Sequence, residues 1–439
     1  MMIFMSKKIK YDLVLKNGSV VLPEGIKTLD IGVINESIRD IGNLSGSDTY
    51  DFIDCSGLHV LPGVIENKEN LESGMLAAAA GGVTAVFEMP NTNPLTITPE
   101  TIEDKLKRAS RVAWTDYAFY LGGTGRTGPN LGGWENAPGI CGIKIFMGAS
   151  TGDLLAASDE EVASVLSNGK RVVAVHAEDQ YIMEANMKTI LKDNHDVSLH
   201  CKWRSPESCL SATKRVVMIA KKFNRRVHVL HITTSEEMDF LRKHKDTASV
   251  ELLANHLTLH APECYEKLGT LAQQNPPIRE KHHQDALWKA LNDGTVDILA
   301  SDHAPHTLEE KAEIYPKSPS GTPGVQTLVP VMLNHVNEGR LTLERLVELW
   351  SYGPERIHGL VNKGRIKEGY NADFTIVDLN KENTITNAQQ KSKTGWTPFD
   401  GVKVKGWPIM TIIRGNVVMR EDEMLEPIGK PVLFKETIN

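Results

Sequence analysis

The sequence has few cysteines, no excess of positive charge and no long apolar run, and each absence excludes a class of protein. Its five cysteines form no Cys-x-x-Cys pair, which argues against a disulfide framework or a cysteine-zinc module and favours a reducing compartment, the cytoplasm. The formal net charge is −7, so a nucleic-acid binder with a basic face is not expected. The apolar start Met1–Met5 reaches Lys7 too soon for a signal or membrane segment.

Both ends of the chain are rich in short strands and turns. Near the start, the strand Tyr11–Lys16 is followed by Asn17-Gly18, a pair that predicts a type I′ hairpin turn. Near the end, Asp373–Asp378 and Met410–Arg414 are strand candidates. We therefore expect residues 1–59 and 371–439 to pack together as the two parts of a small, discontinuous β-sandwich.

The middle of the chain, residues 60–370, alternates between short apolar runs and helical patterns. Eight candidate strands are Val60–Ile65, Thr84–Met89, Asp116–Leu121, Gly142–Met147, Val172–His176, Val227–Ile232, Ser249–Leu253 and Asp297–Ser301. The helices between them include Pro99–Arg111, Glu160–Leu166, Ser211–Phe223, Glu236–His244 and Gln284–Asn292. Eight strands with interleaved helices predict an α/β fold, a TIM (β/α)8 barrel, with a doubly wound open sheet as the alternative.

Polar residues recur where four of these strands end, which is the active face of such a barrel. They are Lys144, His176, His231 and Asp302. Each alone has a structural explanation: a solvent-facing lysine, a hydrogen-bonded histidine, or an aspartate that caps a turn. Because all four converge on one rim, we interpret them together as a metal site.

The chemistry of these side chains is coherent. Neutral imidazoles and carboxylates suit zinc, and a buried lysine loses its charge readily. The neutral amine of Lys144 can then add carbon dioxide and become a carbamate, which acts as a bridging carboxylate. A bound metal lowers the pKa of its water to about 7 and so supplies hydroxide. Asp302 could take a proton from that water and pass it to a leaving amide nitrogen.

Several motifs together resemble the amidohydrolase superfamily, and specifically dihydroorotases of the type with a carboxylated lysine. The resemblance covers nearly the whole chain. Its motifs are Leu61-Pro62-Gly63-Val64-Ile65, Met89-Pro90-Asn91-Thr92, Gly142-Ile143-Lys144-Ile145-Phe146, His176-Ala177-Glu178, Leu230-His231-Ile232, Asn275-Pro276-Pro277 and Ser301-Asp302-His303-Ala304-Pro305-His306. Met-Pro-Asn-Thr and Ser-Asp-His-Ala-Pro-His resemble dihydroorotases more than dihydropyrimidinases or allantoinases.

The resemblance implies roles for individual residues. Lys144 would bridge two zinc ions, His176 and His231 would bind one of them, and Asp302 would be both ligand and catalytic base. Asn91, Asn275 and His306 would contact the ring and carboxylate of the substrate, whereas without the family they would be interpreted as residues that structure loops. The implied reaction is the reversible hydrolysis of L-dihydroorotate to N-carbamoyl-L-aspartate in pyrimidine biosynthesis. A homodimer is usual for the family.

The sequence departs from the family after the first barrel strand. The family continues into an aspartate, a His-x-His pair and Phe-Arg-Glu-Pro, whereas here Ile65 is followed by Glu66-Asn67-Lys68-Glu69-Asn70. The histidine pair of one metal and the carboxylate-binding arginine are therefore absent, and only Lys68 offers a cation nearby.

Three explanations are open. The natural protein has a loop that this sequence lacks, which we favour; or it works with one metal; or it is an inactive structural partner of aspartate transcarbamoylase. Another cyclic amidohydrolase, dihydropyrimidinase- or hydantoinase-like, is the enzymatic alternative.

Overall fold

Two sheets organise the molecule, one parallel and one mostly antiparallel. The computed structural model describes residues 9–66, 71–149, 154–192 and 194–435. Within these ranges, no helix is long and apolar enough to cross a membrane.

The elements are numbered in chain order. The strands are β1 (Lys10–Leu22), β2 (Gly25–Ile34), β3 (Ser37–Gly42), β4 (Asp48–Asp54), β5 (His59–Pro62), β6 (Val64–Glu66), β7 (Val83–Glu88), β8 (Asp116–Gly122), β9 (Ile140–Phe146), β10 (Val173–His176), β11 (Val227–Val229), β12 (Ala248–Leu253), β13 (Ile298–Ala300), β14 (Phe374–Thr384), β15 (Lys403–Ile413), β16 (Asn416–Arg420) and β17 (Glu423–Met424). The α-helices are α1 (Leu71–Ala80), α2 (Pro99–Ala109), α3 (Gly128–Trp134), α4 (Asp159–Leu166), α5 (Gln180–Asn186), α6 (His200–Trp203), α7 (Pro206–Lys222), α8 (Ser235–Leu241), α9 (Ala254–Thr258), α10 (Glu263–Leu268), α11 (Lys281–Asn292), α12 (Leu308–Lys311), α13 (Leu328–Asn337), α14 (Leu343–Val347) and α15 (Gly353–His358). Short 3-10 or π turns are Met187–Leu191, Val197–Leu199, Gly269–Ala272, Glu348–Tyr352 and Asn387–Gln389.

The parallel sheet holds eight strands in chain order, from β6 to β13. Its strands are buried on both faces, as expected where helices cover a parallel sheet. The sheet curls until its first and last strands, β6 and β13, both contact the turn Glu348–Tyr352. There the Ser351 hydroxyl donates to the carbonyl oxygens of Pro62 and Gly63, at 3.2 Å each. The predicted TIM barrel is confirmed, and the open doubly wound sheet is not the fold.

The second sheet joins strands from both ends of the chain. β5 pairs antiparallel with β14, with Leu61 opposite Thr375. The predicted barrel strand Val60–Ile65 is therefore split, because its first half belongs to this second sheet and only β6 belongs to the barrel. The break is at Gly63, where a Cβ atom would lie 2.1 Å from the hydroxyl oxygen of Thr84.

The predicted hairpin at Asn17-Gly18 is wrong. β1 continues through these residues with a register shift between Leu15 and Gly18, which marks a β-bulge. Asn17 has a φ of 57°, and asparagine tolerates this left-handed region both in a bulge and in a turn. The pair of consecutive left-handed residues that a type I′ turn requires occurs instead at Asn35 and Glu36, between β2 and β3.

A cluster of buried, charged side chains stabilises the amino end of the parallel sheet. Lys363 Nζ lies 2.9 Å from Asp116 at the start of β8 and 2.6 Å from Asp373 just before β14. Arg414 pairs with the other oxygen of Asp116. All four side chains are at most 6% exposed. The cluster therefore connects the barrel to the second sheet with its charges paired.

Candidate active site

The carboxyl ends of the barrel strands bring six of the seven predicted site residues around one cavity. Lys144 lies within β9 and His176 ends β10. His231 and Asp302 each follow the last residue of their strands, β11 and β13, by two positions. The residues of the prediction that line the cavity are Asn91, Lys144, His176, His231, Asn275 and Asp302.

Two of these residues have a left-handed backbone. His231 has a φ of 40° and Asp302 a φ of 47°. For residues other than glycine such conformations cost about 1–3 kcal/mol each and are concentrated at functional sites. In both cases the turn comes immediately after a barrel strand and directs the side chain into the cavity. The strain is therefore located where the predicted ligands are.

His176 and His231 have the spacing of two ligands on one metal. His176 Nδ1 lies 3.1 Å from His231 Nε2. Two nitrogens on a tetrahedral zinc, each bound at 2.0–2.1 Å, are separated by about 3.3 Å. Burial lowers the pKa of both histidines, so both rings are neutral, as metal ligands must be. Among the described residues, the second ring nitrogen of His231, Nδ1, is buried without a hydrogen-bond partner.

Glu178 sets the tautomer of His176. His176 Nε2 lies 2.8 Å from Glu178 Oε2, and Arg204 contacts the same carboxylate through Nε and Nη2. Burial alone would raise the pKa of Glu178, but Arg204 and then His176 hold it below its usual value. The carboxylate therefore accepts the proton on Nε2, which leaves the lone pair on Nδ1 directed toward His231.

The residues present fit a metal only if Lys144 contributes. Within the described ranges, no three His, Cys, Asp or Glu side chains are close enough together to hold an ion. The histidine pair therefore needs a further ligand. Lys144 is 2% exposed and lines the same cavity, and its Nζ lies 4.4 Å from the centre of the Phe146 ring. A carbamate on Lys144 would add oxygen donors of the kind zinc accepts.

Sequence reasoning missed Glu251, which also lines the cavity. Its Oε1 accepts a hydrogen bond from the backbone N–H of His231 at 3.3 Å. Its Oε2 lies 3.3 Å from Nε2 of His228, whose Nδ1 is 2.9 Å from the Ser249 hydroxyl. Burial, and then the nearby Asp302, raise the pKa of Glu251 to about 8. The alternation of Ser249 and Glu251 with Val250 and Leu252 in β12 is the signal that could have identified it.

His200 orients the predicted substrate ligand Asn275. His200 Nε2 lies 3.0 Å from Asn275 Oδ1 and 3.1 Å from the carbonyl oxygen of Gln274. Burial lowers the pKa of His200 to about 3, so the ring is neutral and donates from Nε2. Its Nδ1 accepts from the Tyr315 hydroxyl at 3.3 Å. These contacts hold the Asn275 amide in one orientation.

His306 does not line the cavity with the other six. That cavity holds about 30 Å³, room for one water molecule. His306 lines an adjoining cavity of about 800 Å³, and Asn91 and Ala304 border both. The larger cavity also carries Lys105, which pairs with Glu88, and the cations Arg108 and Arg111. Its volume is typical of a small-molecule site. Residues 67–70, including Lys68, lie outside the described residues.

Comparison with known proteins gives a consistent group of relatives. Residues 64–418 match the model described as the amidohydrolase family. The chain is 37% identical over 390 residues to a dihydroorotase of Pyrococcus furiosus, covering 85% of this chain and 84% of that protein. It is 34% identical over 448 residues to a dihydroorotase of Methanosarcina mazei, covering 95% and 96%.

Solved structures with the same architecture include hydantoinases and dihydropyrimidinases. An L-hydantoinase (dihydropyrimidinase) from Arthrobacter aurescens has a TM-score of 0.92 at 29% identity, over 96% of this chain and 99% of that one. A dihydropyrimidinase from Brevibacillus agri has a TM-score of 0.89 at 25% identity, over 97% and 99%.

Proposed function

We propose, on the premise that the chain belongs to the amidohydrolase family and within it to the dihydroorotases, that it catalyses the reversible hydrolysis of L-dihydroorotate to N-carbamoyl-L-aspartate. The observation that carries the proposal is the convergence of Lys144, His176, His231 and Asp302 on one cavity whose border includes Asn91 and Asn275. Their strand-end positions are those in which barrel enzymes carry catalytic groups.

The proposed cofactor is zinc, one or two ions per chain. His176 Nδ1 and His231 Nε2 would hold it, with oxygens from Lys144 after its neutral amine adds carbon dioxide and releases a proton. Asp302 would be a ligand of the second ion, because among the described residues it does not form a three-ligand group with the two histidines. When bound, zinc would polarise the ring carbonyl and make water a stronger nucleophile at neutral pH. Glu178 supports this assignment because it keeps the Nδ1 lone pair of His176 available.

The remaining steps are assigned to the chain's own residues. Water adds to the ring amide carbonyl, and the carbon–nitrogen bond of the ring breaks. Asp302 accepts the proton of the water and delivers it to the departing nitrogen. Asn275 and Asn91, which borders both cavities, would contact the ring. His306 would meet the substrate carboxylate from the adjoining cavity, which it shares with Asn91.

The test is a dihydroorotate hydrolysis assay on purified protein together with metal analysis. We expect turnover that chelation abolishes and zinc restores. Two zinc ions per chain would support the bridging role of Lys144, and one would support a single-metal enzyme. Folded protein that binds no metal and has no turnover would overturn the proposal.

A hydantoinase or dihydropyrimidinase is the second candidate, and the likeness to the Arthrobacter L-hydantoinase favours it. Both substrate classes are opened at a ring amide, so the same four residues would serve. The two differ in the carboxylate that dihydroorotate carries and dihydrouracil lacks. Turnover of dihydrouracil without turnover of dihydroorotate would select this alternative.

We also propose that the enzyme acts in pyrimidine biosynthesis in the cytoplasm, as a homodimer or with aspartate transcarbamoylase. All five cysteines are buried and unpaired, which supports a reducing compartment. Light scattering of the purified chain, alone and with aspartate transcarbamoylase, would test the assembly. A monomer under both conditions would contradict it.

A further inference from the structure

Lys311, the last residue of α12, is a fully buried lysine that the proposed mechanism does not use. Its side chain is 0% exposed. Its Nζ donates to three backbone carbonyl oxygens, those of Gln273 at 3.0 Å, Pro319 at 2.9 Å and Gly321 at 3.1 Å. An ammonium group has three N–H bonds, so the donors and the acceptors match one to one.

These three carbonyls belong to two separate segments that border the catalytic cavity. Gln273 precedes Asn275 by two residues, and Pro319 and Gly321 flank Ser320. Asn275, Ser320 and Gly321 all line the cavity. We call residues 273–275 and 318–322 together the substrate wall. Lys311 is therefore a single cation that connects both halves of this wall.

The side chain of Gln273 connects the same two segments. Its Nε2 donates to the carbonyl oxygen of Ser318 at 2.9 Å, and its Oε1 accepts from the Ser318 hydroxyl at 2.6 Å. The backbone N–H of Gly321 donates to the Gln273 carbonyl at 2.9 Å. Gly321 also packs so closely that a Cβ atom would lie 2.2 Å from the carbonyl oxygen of Ala304. The wall therefore has little freedom to shift while Lys311 is in place.

The charge of Lys311 is needed for this arrangement. Burial lowers its pKa to about 7, and only the ammonium form has one N–H for each of the three carbonyl oxygens. A neutral amine has two N–H bonds for three carbonyl oxygens, so one of the three contacts between Lys311 and the substrate wall would be lost. The local capping box, in which Thr307 accepts from the N–H of Glu310, keeps α12 in the register that directs Lys311 inward.

We propose that Lys311 is a positioning residue for substrate binding, which sets the distance of Asn275 from the Ser320-Gly321 backbone by joining both halves of the substrate wall. This rests on the proposed function, because Asn275 is assigned there to the substrate ring. Lys311 touches neither the cavity nor the predicted ligands. Its effect should therefore fall on substrate affinity and leave zinc content unchanged.

The experiment compares Lys311→Met with Lys317→Met, an exposed lysine of the same loop. We expect Lys311→Met to raise the KM for dihydroorotate by about tenfold, since loss of one hydrogen bond from Asn275 to the substrate weakens binding by about that factor. The kcat and the zinc content should stay near wild type, and Lys317→Met should match wild type in all three. An unchanged KM in folded Lys311→Met would overturn the inference.

A double-mutant cycle separates positioning from a general loss of packing. If Lys311 acts through Asn275, its effect should largely disappear in an Asn275→Ala background and persist in an Asn91→Ala background. Equal effects in both backgrounds would contradict the inference.

If Lys311→Met does not fold, Ser318→Ala provides a second test. It removes one hydrogen bond of the same wall and should also raise KM, by a smaller factor. An unchanged KM there would also count against the inference.

Hydrogen exchange tests whether Lys311 holds the substrate wall without any measurement of catalysis. We expect faster exchange of the Gly321 amide in Lys311→Met than in Lys317→Met. If wild type has no dihydroorotase activity, the proposed function fails. The exchange rates then decide whether Lys311 holds the wall, and equal rates in the two variants would overturn that too.

Discussion

At the carboxyl end of the barrel strands, the neutral rings of His176 and His231 face each other with two nitrogens 3.1 Å apart. The other nitrogen of His231, Nδ1, has no hydrogen-bond partner among the described residues. At the amino end, Lys363 lies between Asp116 and Asp373, with Arg414 on the other oxygen of Asp116. The amino end pairs its four charged side chains with one another, whereas the carboxyl end turns two neutral ring nitrogens toward each other. The comparison indicates that the carboxyl end is built for a ligand and the amino end for stability.

The most severe loss should follow His231→Ala. Removing one of the two nitrogens that face each other at 3.1 Å leaves too few ligands, so we expect loss of bound zinc and an activity reduced by about a thousandfold, or about 4 kcal/mol. The fold should remain, because alanine keeps a Cβ at the φ of 40° and so adds no backbone strain to that already present with histidine. Metal analysis and circular dichroism measure both. Exposed His282→Ala is the control, and stoichiometric zinc in His231→Ala would show that the ligands are wrong.

At the opposite end, Lys363→Met should affect stability and spare catalysis. It leaves Asp116 and Asp373 buried without their shared cation, and breaking a buried ion pair costs about 3–5 kcal/mol. Denaturant unfolding measures the loss, and the exposed Lys367→Met should show none. Folded Lys363→Met should retain its zinc and kcat. A lower kcat per folded molecule would show that the ion cluster at the amino end also affects catalysis at the carboxyl end.

A smaller effect is expected for Glu178→Gln, which keeps an acceptor near His176 and removes its charge. Residues that orient a metal ligand typically contribute about tenfold to a hundredfold in metal affinity. We expect zinc affinity to fall within that range and activity to return when zinc is added. The exposed Glu184→Gln in the following helix, α5, is the control. Activity that is lost and not recovered at high zinc would indicate that Glu178 acts directly on the substrate.

The smallest effect concerns pH and His358, which packs inside the barrel against Phe87 and Tyr120. Burial, then His228, lower its pKa to about 3. Because the folded pKa lies below the ordinary value, stability is complete above about pH 6.5 and is lost as the pH falls, since the unfolded chain takes up the proton first.

His358→Gln should therefore reduce the loss of stability between pH 7 and pH 5 by on the order of 1 kcal/mol. Unfolding free energies at both pH values, compared with His282→Gln, measure the change. An identical pH dependence in wild type and His358→Gln would show that the ring is not kept neutral.

Four site residues could be predicted from the sequence, because three stand at or just after the end of an apolar run and the fourth, Lys144, is the one charged side chain inside its own run. Lys144, His176, His231 and Asp302 were identified in this way, and the cavity includes all four. His306 was predicted as a substrate contact from a sequence motif, but nothing in the sequence indicated that it lines a second, larger cavity. Asn17-Gly18 was misassigned because a bulge and a turn use the same left-handed asparagine.

By itself, the sequence determined the alternation of strands and helices and the chemical types at the active rim, because these depend on local periodicity and on residues near the ends of strands. The choice of a barrel over an open doubly wound sheet depends on how the strands curl together. Only the tertiary structure decided which groups pair: Glu178 with Arg204, His200 with Asn275, and Lys311 with Gln273. These partners are 26, 75 and 38 positions apart. Their contacts depend on how the sheet curls and how loops cross its rim. Alternation along one strand predicts the face of a side chain, but not the partner that reaches it from another strand.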